Sequence, residues 1–457
     1  MEKKQKWYYM IPVIGVVFGI WYLKQSFYDV VYSDYIRLVN SYLPDVWNPD
    51  KFLVRDVLTR IPINYAARII NTSLFHYSIR FDQALGLLSL GLGALILAAY
   101  CVWKKISPLW FGVIMAVFFS LNKWEMMNNG SGWVHFLAFA GFYYHYLVWD
   151  RVWSGQEKKG DHLKMLLLPW ILILGVAGPY CAVYVGVLLL GYCFCLLTVH
   201  KKTKKWDRRY LQYGICVVLP FLCYLWSTAQ VKSSAAKVEG TLFEYLLDVP
   251  SYFVRFFLKS LCSTVVGGEA AAEFFHSNVP YFVIGLTVGA AYLLVLWQQF
   301  RYRIYEKTLF PLILIVAGGM NHVLIVLSRW SFFMENYGMS SRYAVQFQIG
   351  VLGILLTFGL LWKERSGLKK LHQGIMIGIL VLFLGGNLCT TWRELRVMPW
   401  RKLTCVERAQ IALDFEQKTD DELRAAFEYR TYADDSGAMV RQALTILKEN
   451  NWNVFHE

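Results

Sequence analysis

Six blocks of lysine and arginine separate the long apolar runs of this chain, and they fall on alternate connections without exception. Short cytoplasmic loops of membrane proteins are enriched in Lys and Arg, so the alternation assigns a side to every loop. With the N-terminus inside, segments 1–6, 104–105, 150–164, 200–209, 299–307 and 363–372 are cytoplasmic and hold 22 Lys and Arg. The short outside loops, 122–130, 178–181 and 329–342, hold only Lys123, Arg329 and Arg342.

The apolar runs have the length such a fold needs. The chain is 56% hydrophobic over 457 residues, with a mean hydropathy of +0.37. About eleven runs match a hydrocarbon core of about 30 Å: 7–24, 84–103, 106–121, 131–149, 165–180, 182–199, 211–228, 279–298, 308–328, 343–362 and 373–390. The run after Gly178-Pro179 reads equally as part of a re-entrant hairpin. Runs of this length in lipid are helices, because every backbone group must be satisfied within the segment. The predicted fold class is therefore all-α and polytopic. The first run has no small-residue cleavage site after Tyr22-Leu23-Lys24 and is expected to stay as a helix. The six inside segments hold 22 bases and 7 acids and sum to +15, against a net charge of +14 for the whole chain. The basicity thus reports topology and gives no reason to expect a nucleic-acid partner. The nine cysteines show no disulfide or metal spacing.

Three outward segments are too long to be connectors: 25–82, 229–278 and the tail 391–457. They divide the chain into a membrane domain, 1–390, and an extracytoplasmic helical tail. In the first, Phe52, Leu53, Val57, Leu58 and Ile61 share one side of a helical pattern and Arg55, Asp56 and Arg60 lie away from it. The second carries a similar piece, TLFEYLLDVPSYFVRFFLKSLC. Helices of this kind lie in the membrane interface, where two of them would wall a cavity open to lipid and water. The tail has helical stretches near 405–417 and 435–449, with Val440, Ala443, Leu444 and Leu447 at the spacing of a packed face.

Polar residues suited to chemistry concentrate on the outer side. Asp34, with Asp29 just before it and Tyr32, Ser33 and Tyr35 around it, is a candidate general base; Ser33 or Asp34 serves as well as an N-cap for the segment IRLVNSYL. Lys123-Trp124-Glu125 precedes MMNNGSGW. The loop SRWSFFMENYGMSSRYAVQF places Arg329 at the end of one helix and Arg342-Tyr343 at the start of the next. Two guanidiniums at the outer surface suit paired hydrogen bonds to phosphate, and Ser340 and Ser341 add donors; interfacial anchoring explains Arg and Tyr there equally well. His322, inside an apolar run, reads as a helix–helix contact. No nucleotide-binding motif is present.

These features, in this order, resemble the GT-C superfamily of polytopic glycosyltransferases, within a poorly characterised bacterial branch. The likeness covers about residues 8 to 360 and the C-terminal end. It rests on an acid soon after the first helix (Asp34), the segment Asn122-Lys123-Trp124-Glu125, the lone Arg329 followed by Ser341-Arg342-Tyr343, and the terminal Asn453-Val454-Phe455. Two departures stand out: Asp34 has Ser33 beside it where a second acid is common, and Met126-Met127 follow the Trp-Glu pair. The resemblance implies transfer of a sugar from a polyprenyl-phosphate donor to a glycan or lipid acceptor of the cell envelope, on the outer face of the plasma membrane. It implies Asp34 as catalytic base, Arg342 and Arg329 on the lipid phosphate, and Tyr343, Ser341, Glu125, Trp124 and Tyr35 in substrate binding. Some members use a divalent cation, Mg or Mn, and others none; a single acid argues against a tight metal site. Two rival functions remain: an O-antigen-type polymerase or ligase, and a secondary transporter or lipid flippase, against which stands the lack of an internal repeat.

Overall fold

The computed structural model describes residues 3–54, 61–229, 240–363, 369–429 and 436–456. Among the described residues there is no strand. Helix α1 (Lys3–Ser26) is followed by α2 (Asp34–Tyr42), α3 (Pro62–Phe75) and the long α4 (Ile79–Lys104). Then come α5 (Pro108–Phe118), α6 (Trp124–Asn128) and α7 (Trp133–Trp153). Helix α8 (Asp161–Trp170) widens into a π-helical stretch to Ala177, turns at Gly178–Tyr180 and returns as α9 (Cys181–Thr203). Helix α10 (Arg208–Thr228) follows, and α11 (Leu242–Asp248), α12 (Pro250–Cys262) and α13 (Gly268–Phe274) occupy the second long connection. The chain continues through α14 (Val279–Arg301), the short α15 (Ile304–Lys307), α16 (Phe310–Arg329), α17 (Ala344–Lys363) and α18 (Lys370–Leu413), and ends in α19 (Asp420–Ala426) and α20 (Ser436–Glu449).

Eight helical segments among the described residues are long and apolar enough to cross a membrane. The difference from the eleven runs has three sources. The run 106–121 forms α5, whose 11 residues extend only about 16 Å. The run 131–149 forms α7, a helix long enough but diluted by His135, His145, Asp150 and Arg151. The runs 165–180 and 182–199 fall in one continuous helical stretch, Asp161–Thr203. That stretch nevertheless reverses direction. Asp161 pairs with Arg151 at the foot of α7, Pro179 and Tyr180 reach the opposite end, and Tyr192 is back beside Trp149. Gly178 makes the turn with φ +49°, a conformation that costs a side-chain-bearing residue strain.

Contacts sort the connections between the two ends of the bundle. At one end the Trp103 indole donates to Gln156 (2.7 Å) and the Trp153 indole to the Tyr305 carbonyl (2.7 Å). Lys104 lies 3.4 Å from Asp150, and Lys202 lies 3.1 Å from Glu306. The Tyr8 hydroxyl donates to the Ile106 carbonyl and Trp297 stacks on His372. All six Lys/Arg blocks border these contacts. Segments 27–35, 122–132 and 329–343 gather at the other end.

The second end carries an added layer. Helix α18 runs 44 residues without a break, about 66 Å, more than twice a bilayer core. It passes straight through residue 390, where the apolar run ends, and its projecting half carries the tail. Helix α20 buries Val440, Ala443, Leu444 and Leu447 against Val31, Ile36, Val39 and Tyr42 of the first long connection, as the spacing predicts. Asn453 ties the two together. Its side chain accepts from Val31 N (3.1 Å) and donates to the Tyr77 carbonyl (3.1 Å) and to Asp29 (3.3 Å).

The helical pieces expected in the second connection form as α11 and α12, with Phe243, Leu247 and Val254 exposed. Thr241 and Glu244 close the start of α11 as a capping box. The amphipathic pattern of the first connection falls largely on 55–60, outside the described residues. His322 joins helices as expected: Nδ1 lies 3.0 Å from Ser260 Oγ of α12, and the ring stacks on Phe347 of α17.

Helices α16 and α17 cross at Gly318 and Gly350. A methyl on Gly350 would overlap the Tyr292 hydroxyl and a methyl on Gly318 the Gly350 backbone. Such close approach is what small residues permit between membrane helices. Gly350→Val is therefore expected to cost about 1–3 kcal/mol and to lower the melting temperature of the detergent-solubilised protein. Gly378→Ala, where a methyl meets nothing within 4 Å, should leave it unchanged.

Candidate functional site

Asp34 opens α2, and the backbone before it is strained. Ser33 has φ 53° and ψ −126°, a sparsely populated region for a residue with a side chain. The tail holds it there: Ser33 N donates to the Phe427 carbonyl at 2.8 Å. The capping role open to Ser33 is not realised, since its side chain makes no cap hydrogen bond. Its Oγ instead accepts from Arg342 Nη2 (3.4 Å).

Glu125 sits in the first turn of α6. Just before it, Lys123 is buried and donates from Nζ to the carbonyls of Phe118 (2.7 Å) and Ser120 (3.0 Å), closing the end of α5. Burial pushes its ammonium down to about 7. Arg342 lies in a single 3-10 turn, Ser341–Tyr343, that leads into α17.

These three segments, far apart in the chain, meet at one guanidinium. Arg342 Nε donates to Glu125 Oε1 and Nη1 lies 3.6 Å from Asp34 Oδ2. Ser341 Oγ donates to the second Glu125 oxygen at 2.9 Å. Burial alone would push the Arg342 pKa down, but the facing Glu125 and Asp34 carboxylates outweigh it and hold the group charged. Arg329 Nε donates to the Tyr343 hydroxyl at 3.0 Å.

A cavity of about 150 Å³ opens onto this cluster. Asp34, Glu125, Arg329, Arg342 and Tyr343 line it, with Asn129, His135, Tyr180 and Tyr337. Its apolar side is Leu38, Ile61 and Val134. Ile61 and Val134 belong to a buried group with Ala67 and Trp133. On the far side of that group runs a groove of about 380 Å³ between α3, α4 and α7, lined by Ile63, Ile70, Phe81, Leu85, Leu88, Leu92 and Leu137 among others. A charged chamber thus adjoins an apolar trough.

Three expected site residues stand elsewhere. Tyr35 is fully buried and its hydroxyl donates to Asp82, so its ring offers no face to the cavity. Asp82 also pairs with the buried Arg68, and this trio fixes α2 and α3 to α4. Ser341 is buried and acts on Glu125. Trp124 lines a second cavity, where the Arg401 guanidinium covers its ring at 3.2 Å.

That second cavity, of about 310 Å³, lies on the other side of the Glu125–Arg342 pair and has Arg342, Arg393, Arg401, Arg408, Trp400 and Glu428 in its walls. Three of these arginines, Arg393, Arg401 and Arg408, come from the projecting half of α18. They are spaced eight and seven residues apart, which places them on one face of a helix. That signal is legible only once the helix is known to continue past residue 390.

A divalent cation does not fit the first chamber. Mg or Mn needs near-octahedral oxygen ligands, and here the Arg342 guanidinium stands between the Asp34 and Glu125 carboxylates. No family model matches the chain, and comparison with curated proteins and with solved structures returns no match.

Removing Arg68 alone leaves a buried carboxylate without its cation. Arg68→Met is expected to cost about 3–5 kcal/mol, seen as loss of monodisperse protein on extraction. Arg68→Met with Asp82→Leu and Tyr35→Phe should recover most of the yield, because apolar side chains then replace the whole buried trio and no buried hydroxyl loses its acceptor.

Proposed function

We propose that the chain is a membrane glycosyltransferase. It moves a sugar from a polyprenyl-phosphate-linked donor to a glycan or lipid acceptor of the cell envelope. In this reading the Lys/Arg-rich end of the bundle faces the cytoplasm, the membrane is the plasma membrane and the chamber opens outside. The observation that carries the proposal is the convergence of Asp34, Glu125, Arg329 and Arg342 on one chamber that adjoins an apolar groove. A lipid phosphate needs both parts: cations for the headgroup and a trough for the first prenyl units.

The chemistry follows from the positions. Asp34, beside Arg342, takes the proton of the acceptor hydroxyl as that oxygen attacks the anomeric carbon. The bond from the anomeric carbon to the phosphate oxygen breaks, and the electron pair leaves with the lipid phosphate. Arg342 and Arg329 neutralise the charge that gathers on the departing phosphate. Glu125, gripped by Ser341, keeps the Arg342 fork aimed into the chamber. No step runs through a metal.

The test incubates membranes containing the protein with a panel of polyprenyl-phosphate hexoses and scores acceptor modification. Asp34→Asn and Arg342→Ala are each expected to reduce transfer by about 10²-fold or more while the protein still inserts. Full activity in both variants would remove the mechanism. An O-antigen-type polymerase or ligase would survive Asp34→Asn and lose activity only with the arginines.

A further inference from the structure

We propose that the second cavity binds the phosphate or diphosphate group of the acceptor. The inference rests on the sugar-transfer reading, which assigns the donor to the first chamber. Four guanidiniums line about 310 Å³, and two carboxylates, Glu125 and Glu428, face them. An uncharged glycan has no use for such a wall; a phosphate with several acceptor oxygens does.

The guanidiniums are held in place from behind, which leaves donors for a ligand. Glu394 is buried and grips Arg401 through two hydrogen bonds of 2.5 and 2.8 Å; it also lies 3.7 Å from Arg393. Arg393 is anchored further by Glu273 at 3.0 Å. Arg408 donates Nε to the Ala426 carbonyl at 2.7 Å and packs over the Tyr32 ring. Among the described residues Nη1 of Arg401 and of Arg408 enters no hydrogen bond.

One partner differs from the others. Glu428 reaches Arg408 Nη2 at 2.6 Å, yet its side chain is 61% exposed. It follows Phe427, whose carbonyl holds Ser33, and its own φ is +50°. The Glu428 carboxylate thus occupies the place of an anionic ligand oxygen and is free to swing into water when one arrives. The wall shared by the two chambers is the Glu125–Arg342 pair, so an acceptor anchored in the second cavity lies one side chain away from Asp34.

The experiment uses the full chain in nanodiscs of zwitterionic lipid and titrates inorganic diphosphate by calorimetry. Arg401→Gln should weaken binding about tenfold, the worth of one charge-assisted hydrogen bond. Glu428→Gln, on an exposed side chain that leaves folding intact, should tighten it by about threefold or more, because a competing carboxylate is gone. Arg424→Gln, at an exposed arginine of α19 outside both chambers, should leave it within about twofold. A parallel arm places polyprenyl diphosphate in the nanodisc: competition with inorganic diphosphate identifies a lipid-borne acceptor, and its absence a water-soluble one. Binding unchanged by both Arg401→Gln and Glu428→Gln, or lost with Arg424→Gln instead, would overturn the proposal. Binding with these responses but no sugar transfer from any donor would leave the anion site standing and remove the transferase reading.

Discussion

One guanidinium organises the polar end of this molecule. Arg342 is the point at which the first long connection, the α5–α7 corner and the start of α17 touch. It does so through Asp34, Ser33 and Glu125. A cation in partly buried surroundings costs desolvation energy, and the two carboxylates return it as Coulomb attraction at low effective dielectric. The geometry then follows. Glu125 is fixed by Ser341, Arg342 by Glu125, and Asp34 faces the remaining edge of the fork. A site held this way needs little rearrangement when charge develops.

The cluster depends on supports that do no chemistry themselves. Helix α2 is pinned from below by the buried Tyr35–Asp82–Arg68 trio and from above by the tail. The backbone strain at Ser33 persists because the Phe427 carbonyl takes its N–H and because α20 packs on the other face of α2. The tail is therefore part of the architecture that orients Asp34. This explains why α18 continues far beyond the length a bilayer needs: its projecting half bridges from the bundle to the layer that covers the first connection.

Much of this is written plainly in the sequence, and what is not has identifiable causes. The Lys/Arg alternation sorts the connections to the two ends because charge placement is a local property of each loop. The convergence of Asp34, Glu125, Arg329 and Arg342 is suggested by their shared side and confirmed as a spatial cluster only by tertiary packing. Tyr35 misleads because an aromatic beside a candidate acid looks like a binding face, while a partner 47 residues away, Asp82, takes its hydroxyl. The arginines of α18 stay hidden because the apolar run stops near 390 and nothing in composition says that the helix does not. The short α5 is overcounted as a span because apolarity marks burial as readily as lipid contact.

The pairing of Arg342, Arg393, Arg401 and Arg408 with carboxylates has a further consequence. A free arginine wall would hold any passing anion tightly, and a tightly held product would not leave. Here the forks of Arg342 and Arg408 already hold Glu125 and Glu428, so a phosphate that takes them fully must displace a carboxylate, and binding there is an exchange of one anion for another. The net gain is small, because the carboxylate's interaction is lost as the phosphate's is made. An exchange of this kind discriminates by geometry and by number of contacts: a diphosphate that engages several forks at once outcompetes single carboxylates, and a lone carboxylate ligand does not. The same reasoning places the largest selectivity where the resident acid is most exposed, at Arg408 and Glu428, and the tightest orientation where it is best gripped, at Arg342 and Glu125.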